Sequence, residues 1–294
     1  MTRTAILVNP RRVGNLGQLR GRLATLVGAR GWPEPRWIET AADDDGSAGV
    51  RAEVEAGATL VFACGGDGTV RAAAAALAGS QIALALLPAG TGNVLALNLG
   101  IPTDLEAAIE LGMSGVRRRI DLGQVGRRTF AVASGIGFDA QMLAAAPQGT
   151  KRLLGWPAYL LAAVRHVPGP GFEVSMELDG QRLPPRRVRA VLVANVGRLP
   201  GGIRLLPEAL PDDGLLDVAL IAPSRLRDWG QLVGHVLTGS PLRQGLEVFQ
   251  ARQVLVSTDA SQLWEIDGEP VGQTQTLRAT VRPGALWVCV PPAD

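Results

Sequence analysis

The chemistry in this chain is concentrated where an apolar run, Thr59-Leu60-Val61-Phe62-Ala63-Cys64, breaks into Gly65-Gly66-Asp67-Gly68-Thr69-Val70, three glycines around one carboxylate. Val61, Phe62 and Cys64 favour a buried strand, and the alanine-rich stretch 71–78 favours a helix. Glycines between them let a ligand approach bare backbone N–H groups, and the helix that follows offers its positive end to an anion. A second apolar run, 82–87, opens in the same way into Pro88-Ala89-Gly90-Thr91-Gly92-Asn93. Ligands of open parallel sheets sit beyond the carboxyl ends of the strands, so two glycine-rich exits point to a nucleotide phosphate chain. Taken singly, each loop also reads as an ordinary tight turn.

The scarce residues exclude most other chemistry. The only lysine, Lys151, follows Thr150 rather than a glycine, which removes a P-loop of the Gly-Lys-Ser/Thr kind. With two histidines (His166, His235) and two cysteines (Cys64, Cys289), zinc clusters and disulfide frameworks are excluded. No Gly-x-Ser-x-Gly elbow is present, which disfavours a serine hydrolase. A net charge of +2 and 4% aromatic residues offer neither a field nor a stacking platform for nucleic acid. The N-terminus runs straight into a strand with no room for a signal segment, and no apolar run approaches the ~20 residues of a bilayer span. A reducing cytoplasm is expected, with any membrane contact peripheral.

Length and pattern place these loops in a larger frame. At 294 residues and 47% apolar content the chain is long enough for two folded domains. Strands at 4–8, 36–39, 59–64 and 82–87 alternate with helices at 16–27, 50–56 and 71–78, implying parallel βαβ units through about residue 115. Strands then follow one another at 118–122, 129–133, 172–178, 188–194, 216–221, 253–257, 277–281 and 286–290. The expected division is an α/β domain over 1–120 and a β-rich domain over 121–294, with the last segment able to return to the first domain. One interruption, 151–167, carries Trp156 and Tyr159 between Lys151, Arg152 and Arg165. It is expected either to dock on anionic lipid or to pack as a helix.

With both loops in place the chain resembles the diacylglycerol kinase catalytic family, in its soluble bacterial lipid-kinase branch, related to sphingosine and ceramide kinases. The likeness extends to Ile120-Asp121-Leu122-Gly123, Gly135-Ile136-Gly137-Phe138-Asp139-Ala140, the blocks 151–159 and 207–217, and Ile266-Asp267-Gly268-Glu269-Pro270. The resemblance implies an α/β N-terminal domain of the NAD kinase/diacylglycerol kinase type and a β-rich C-terminal sandwich. It implies an ATP- and Mg2+-dependent lipid kinase that phosphorylates a hydroxyl of a diacylglycerol-like lipid at the membrane surface. Gly65, Gly66, Asp67, Gly68 and Thr69, with Gly90, Thr91 and Asn93, would hold the nucleotide, Asn9 would help close its site, and Asp67 would lie near a magnesium-bound phosphate. Asp213, with the carbonyls of Leu210 and Leu215, would hold a structural cation. Asp267 would be the base, with Glu269 as its magnesium or orienting partner, while Asp-Gly there also suits a hairpin turn. A homodimer is left open.

The chain departs from the family in two places. The usual Asn-Pro-x-Ser-Gly is here Asn9-Pro10-Arg11-Arg12-Val13-Gly14, and Val94 stands where some members carry aspartate. Three other readings compete: a soluble NAD kinase, which shares Gly-Gly-Asp-Gly-Thr; a non-catalytic ATP- and lipid-binding regulator; and a dinucleotide oxidoreductase. The last rests on 135–140 and lacks the acidic residue about twenty positions on that would hold a ribose.

Overall fold

A computed structural model of the chain describes residues 2–137, 171–199, 203–222 and 245–292. Asp139 and the 151–167 segment lie outside them. Two compact units are present, Met1–Leu122 together with Pro283–Asp294, and Gly123–Arg282.

The first unit contains β1 (Thr4–Val8), α1 (Leu16–Ala29), β2 (Arg36–Glu39), α2 (Ser47–Glu55), β3 (Leu60–Gly65), α3 (Asp67–Leu77), β4 (Ala83–Pro88), α4 (Val94–Asn98), α5 (Leu105–Ser114) and most of β5 (Val116–Val125). Its parallel strands run in the order β4-β3-β1-β2, with Ile6 beside both Trp37 and Phe62. β1 and β3 are wholly buried, as uninterrupted apolar runs must be when helices cover both faces of a sheet. Leu19 and Leu23 of α1 and Ala108 and Ile109 of α5 pack on the face carrying Ile6, Phe62 and Cys64. α2 and α3 pack on each other and on the strands. β2, at the edge, is half exposed, and Arg20 shields it by lying 5.1 Å from the Trp37 ring centroid while pairing with Glu39 at 2.7 Å.

The second unit contains β6 (Arg128–Phe130), β7 (Ala133–Ile136), β8 (Phe172–Leu178), β9 (Gln181–Val188), β10 (Ala190–Ala194), β11 (Arg198–Leu199), β12 (Ile203–Arg204), β13 (Leu216–Ile221), β14 (Leu246–Ala251), β15 (Gln253–Ile266) and most of β16 (Glu269–Val290). β14-β13-β10-β7 form an antiparallel layer. β15 pairs with β8 through Val254 to Thr258 and, beyond a register shift, with β7 through Trp264 to Ile266. One bent strand therefore serves both the β7 layer and the β8-β9 hairpin, around a core that includes Phe130, Val218 and Leu277. No helix among the described residues is long and apolar enough to cross a membrane.

Several expected boundaries move, for identifiable reasons. α3 begins at Asp67 rather than Arg71, because extended Gly66 serves as its N-cap and a carboxylate is favoured in a first turn. β9 was not expected, since Pro184-Pro185 argues against a strand, but β9 pairs with β8 alone and prolines are tolerated at an edge. The expected 253–257 strand continues to Ile266 through half-buried and exposed residues, 258–264, that carry no buried alternation, and 277–281 and 286–290 are parts of the single strand β16.

Candidate active site

Following β1, the chain steps to β2 on one side and then crosses back to β3 on the other, so the strand order reverses between β1 and β3. The carboxyl ends of those two strands carry Asn9 and Gly65, and a switch point of this kind is where open α/β sheets bind ligands. The two ends are joined directly, Asn9 N–H donating to Cys64 O at 2.9 Å. Asn9 also shapes its own loop: its Oδ1 accepts from Arg11 N–H (3.1 Å) and its carbonyl from Arg12 N–H (3.0 Å).

The two glycine loops form one assembly. Ala89 N–H donates to Gly65 O at 3.0 Å. The Asp67 carboxylate accepts from Asn93 N–H (3.1 Å) and Val94 N–H (2.7 Å), so the first residue of α3 holds the start of α4. Asn93, in the left-handed region at φ 47°, accepts from Gly90 N–H (2.9 Å) and donates to Gly90 O (2.8 Å). A Cβ on Gly90 would stand 2.5 Å from Gly66 Cα, and one on Gly92 2.5 Å from Asp67 Oδ2, so the loops approach too closely for side chains there. A Cβ on Gly66 would meet only Gly90 Cα, at 3.5 Å. Gly90→Ala is therefore expected to cost roughly 1–3 kcal/mol of stability, the range of an overpacked contact, and Gly66→Ala far less. Urea unfolding checks this; equal midpoints for the two variants would sink it.

This arrangement leaves a cradle of backbone. α3 accepts its first helical bond at Gly66 O, from Val70 N–H at 3.1 Å, so the N–H groups of Gly68 and Thr69, in its first turn, are not taken up by the helix ladder. The expected hydroxyl donors differ: Thr91 is exposed, whereas Thr69 is buried against Gly65. Beside the loops, a cavity of about 370 Å³ is lined by Arg12, Asn15, Cys64, Leu87, Pro88 and Ala89, among others. It falls within the roughly 300–1,000 Å³ range of ligand pockets. Burial pushes the Cys64 thiol up to about 12, which keeps it protonated and unreactive. The altered first loop thus places Arg12 on a cavity wall.

In the second unit, Asp267 and Gly268 have φ values of 49° and 79°, the double positive of a type I′ turn, and Ile266 pairs with Glu269 across it. The Asp267 carboxylate accepts from Ala131 (3.1 Å), Val132 (2.9 Å) and Ala133 (3.0 Å) N–H groups. Asn195, fully buried, donates to Ala131 O at 3.2 Å, so two side chains clamp the β6–β7 connection. Glu265 Oε2 accepts from Gly268 N–H at 2.5 Å. Glu269 itself is exposed. Asn195 and Glu265 were not singled out from the sequence; the only signal for Asn195 was an amide ending the apolar run Val191-Leu192-Val193-Ala194.

The 207–217 loop brings Leu210, Asp213 and Leu215 together in sequence around a turn in which Asp213 Oδ1 accepts from Leu215 N–H at 2.9 Å. Leu210 and Asp213 are exposed. Asp217, which sequence reading passed over, is buried, and its carboxyl is raised to about 6, first by burial and then by Asp213 and Glu208, against a hydrogen bond from Gln250 that lowers it. Among the described residues, no three acidic, histidine or cysteine side chains gather closely enough to cage a metal by themselves.

Residues 3–125 match the Diacylglycerol kinase catalytic domain, and residues 131–290 match the YegS C-terminal NAD kinase beta sandwich-like domain. A protein of Pseudomonas fluorescens described as "Probable lipid kinase YegS-like" is 38% identical over 259 residues, 82% of this chain and 81% of that protein. A protein of Pseudomonas aeruginosa PAO1 with the same description is 34% identical, over 85% of this chain and 82% of its own. Among solved structures, a diacylglycerol kinase from Bacillus anthracis str. Sterne superposes with a TM-score of 0.76 at 20% identity, covering 99% of this chain and 97% of its own. An NAD kinase from Archaeoglobus fulgidus in complex with ATP shares the fold more distantly, with a TM-score of 0.51 at 12% identity, covering 97% of this chain and 93% of its own. At these identities the structures speak for the fold, and the family models and Pseudomonas relatives speak for the class. The chain is a kinase, a transferase of the YegS-like lipid kinase family built on a diacylglycerol kinase catalytic domain.

Proposed function

We propose that this chain transfers the γ-phosphate of ATP to a hydroxyl of a diacylglycerol-like lipid at a membrane surface, with Mg2+ required. The observation that carries the nucleotide part is the fastening of two glycine loops at the β1/β3 switch point. It leaves backbone N–H groups and a helix N-terminus toward a ligand, while a side chain is shut out at Gly90 by Gly66 and at Gly92 by Asp67. Thr91, exposed beside them, adds a hydroxyl donor. Mg2+ would neutralise charge on the phosphates. Asp67 gives both carboxylate oxygens to backbone N–H groups, so its contribution is to hold the loops. Asp267 is the residue assigned to the acceptor hydroxyl, which it orients and whose proton it draws.

Gly66→Val tests the nucleotide assignment. The backbone at Gly66 is extended, with φ −91°, so valine is tolerated there, but its branches fill the crease toward Gly90 where phosphate would meet backbone. Folded Gly66→Val is expected to lose ATP binding in isothermal titration, and wild-type affinity would refute the assignment. The lipid is identified by feeding the purified protein a lipid extract with labelled ATP. A regulator that binds ATP and lipid without turnover is the second reading, favoured by how fully the backbone occupies the Asp267 carboxylate. The same assay separates the two.

A further inference from the structure

One short pattern occurs twice in the second unit, as Glu177-Leu178-Asp179-Gly180 and as Glu265-Ile266-Asp267-Gly268. Each copy closes a two-residue hairpin with both turn residues at positive φ, 49° and 84° in the first and 49° and 79° in the second. Each aspartate also ties its turn to a neighbouring connection. Asp179 accepts from Arg252 N–H (3.0 Å) and Gln253 N–H (2.7 Å) and gives its own N–H to Gln253 O (3.0 Å). Asp267 does the same with residues 131–133, and gives its N–H to Ala133 O at 2.8 Å.

The two glutamates behave differently. Glu177, with its side chain 35% exposed, pairs with Arg182 at 3.5 Å as a surface residue does. Glu265 is 8% exposed and turns inward: its Oε2 accepts from Gly268 N–H at 2.5 Å, and its carbonyl accepts from the buried Ser134 hydroxyl at 2.8 Å. The first copy shows that neither the turn nor the aspartate clamp requires such a bond. A buried carboxylate is costly to keep, so the bond in the second copy answers to something the first turn does not do. A carboxylate bond to a backbone N–H is about twice as strong as a neutral one, and this one fixes the peptide plane between Asp267 and Gly268.

We propose that Glu265 is a positioning residue for Asp267, pinning the Asp267–Gly268 peptide so that the carboxylate meets the acceptor hydroxyl at a fixed place. This rests on the reading of Asp267 as the group that takes that hydroxyl. Backbone N–H groups hold the carboxylate from one side, and Glu265 holds the peptide that carries it from the other. A group that orients a hydroxyl works by staying still, and misplacement by about 1 Å can cost on the order of a hundredfold in rate.

The test is a double-mutant cycle on the full chain, with labelled ATP and a fixed lipid extract, and with kcat and KM for ATP taken separately. Glu265→Met keeps the length of the side chain without its acceptors, and Glu265→Ala repeats the removal should methionine disturb the packing. Both are expected to keep the wild-type KM for ATP and to lose about tenfold or more in kcat, with faster hydrogen exchange at the Gly268 amide. Glu265→Gln, which still offers an oxygen to Gly268, is expected to recover most of the rate. Glu177→Met, the same change in the other turn, is expected to leave kcat at the wild-type value. In the Asp267→Asn background Glu265→Met is expected to cost little more, because a residue that acts through Asp267 has nothing further to lose. Wild-type kcat in Glu265→Met, or the same loss added in full to that of Asp267→Asn, overturns the proposal. The underlying reading fails by a different result: an inert wild type, or near-normal turnover by Asp267→Asn alone, removes Asp267 as the acceptor-side group and Glu265 as its positioner with it.

Discussion

Asp267→Asn is expected to lower lipid phosphorylation by ~10²-fold or more, the usual worth of a positioned general base, while ATP binding is retained. Asparagine suits the turn, since Asn-Gly is a favoured type I′ pair and tolerates the φ of 49° found there. The side chain, however, gives up one acceptor oxygen for an NH2 group. That NH2 must face one of three backbone donors, at Ala131, Val132 or Ala133. A drop in stability of roughly 1–3 kcal/mol is expected alongside the loss of turnover, from the donor left unsatisfied. Three of the roughly four acceptor positions of a carboxylate are taken by the backbone, so at most one remains for a substrate hydroxyl. A base so held is expected to orient the hydroxyl more than to strip it, which suits the loose transition state of phosphoryl transfer. Asn195→Ala is the comparison: it loosens the same β6–β7 connection from its carbonyl side without touching the carboxylate. If it lowers turnover as far as Asp267→Asn does at equal loss of stability, Asp267 acts only as a clamp. Near-normal turnover by Asp267→Asn would remove it from the mechanism.

The parts of the fold that could be read in the sequence were those where a strand is buried on both faces. Thr4–Val8 and Leu216–Ile221 appear at their expected bounds because a run that is apolar but for Thr4 in one and Asp217 in the other admits little else. The double-proline β9 and the polar middle of β15 could not be read from their own residues, because what makes them strands is pairing with the neighbouring strands β8 and β16, and that pairing is not written in either segment alone. The site divides in the same way. Glycines 65, 66, 90 and 92 announced a close approach, and the structure shows that much of it is one loop against the other. The chain's own carboxylates were harder to assign. Asp67 and Asp267 look from sequence like groups awaiting a cation or a proton, yet both accept backbone N–H groups supplied from 26 or more residues away, a role that no spacing rule reveals. Asp217 was overlooked for the converse reason: it follows the more conspicuous Asp212-Asp213-Gly214 turn, and only folding shows that it is buried.

Asp67→Ala is expected to abolish measurable ATP binding whether or not Mg2+ is present, because its effect passes through the second loop. Removing the carboxylate strips the acceptors from Asn93 N–H and Val94 N–H, where α4 begins with no side-chain cap of its own. Each stranded donor costs about 1–3 kcal/mol if it stays buried, and the loop's alternative is to open toward water. Asn93 then no longer holds Gly90 from both sides, and the close approach of Gly90 to Gly66 is lost. The cradle depends on that approach, so nucleotide affinity falls with it. Hydrogen exchange provides the readout that a purely metal-binding role would not move. The amides of Asn93 and Val94 should exchange much faster in Asp67→Ala than in the wild type, in the apo protein and without any cation, while amides of the buried strand β3 stay protected. Asp67→Asn should be intermediate, since one carbonyl oxygen can still accept one of the two N–H groups. Unchanged exchange at Asn93 and Val94, combined with ATP binding that weakens only when Mg2+ is present, would instead make Asp67 a ligand of the metal.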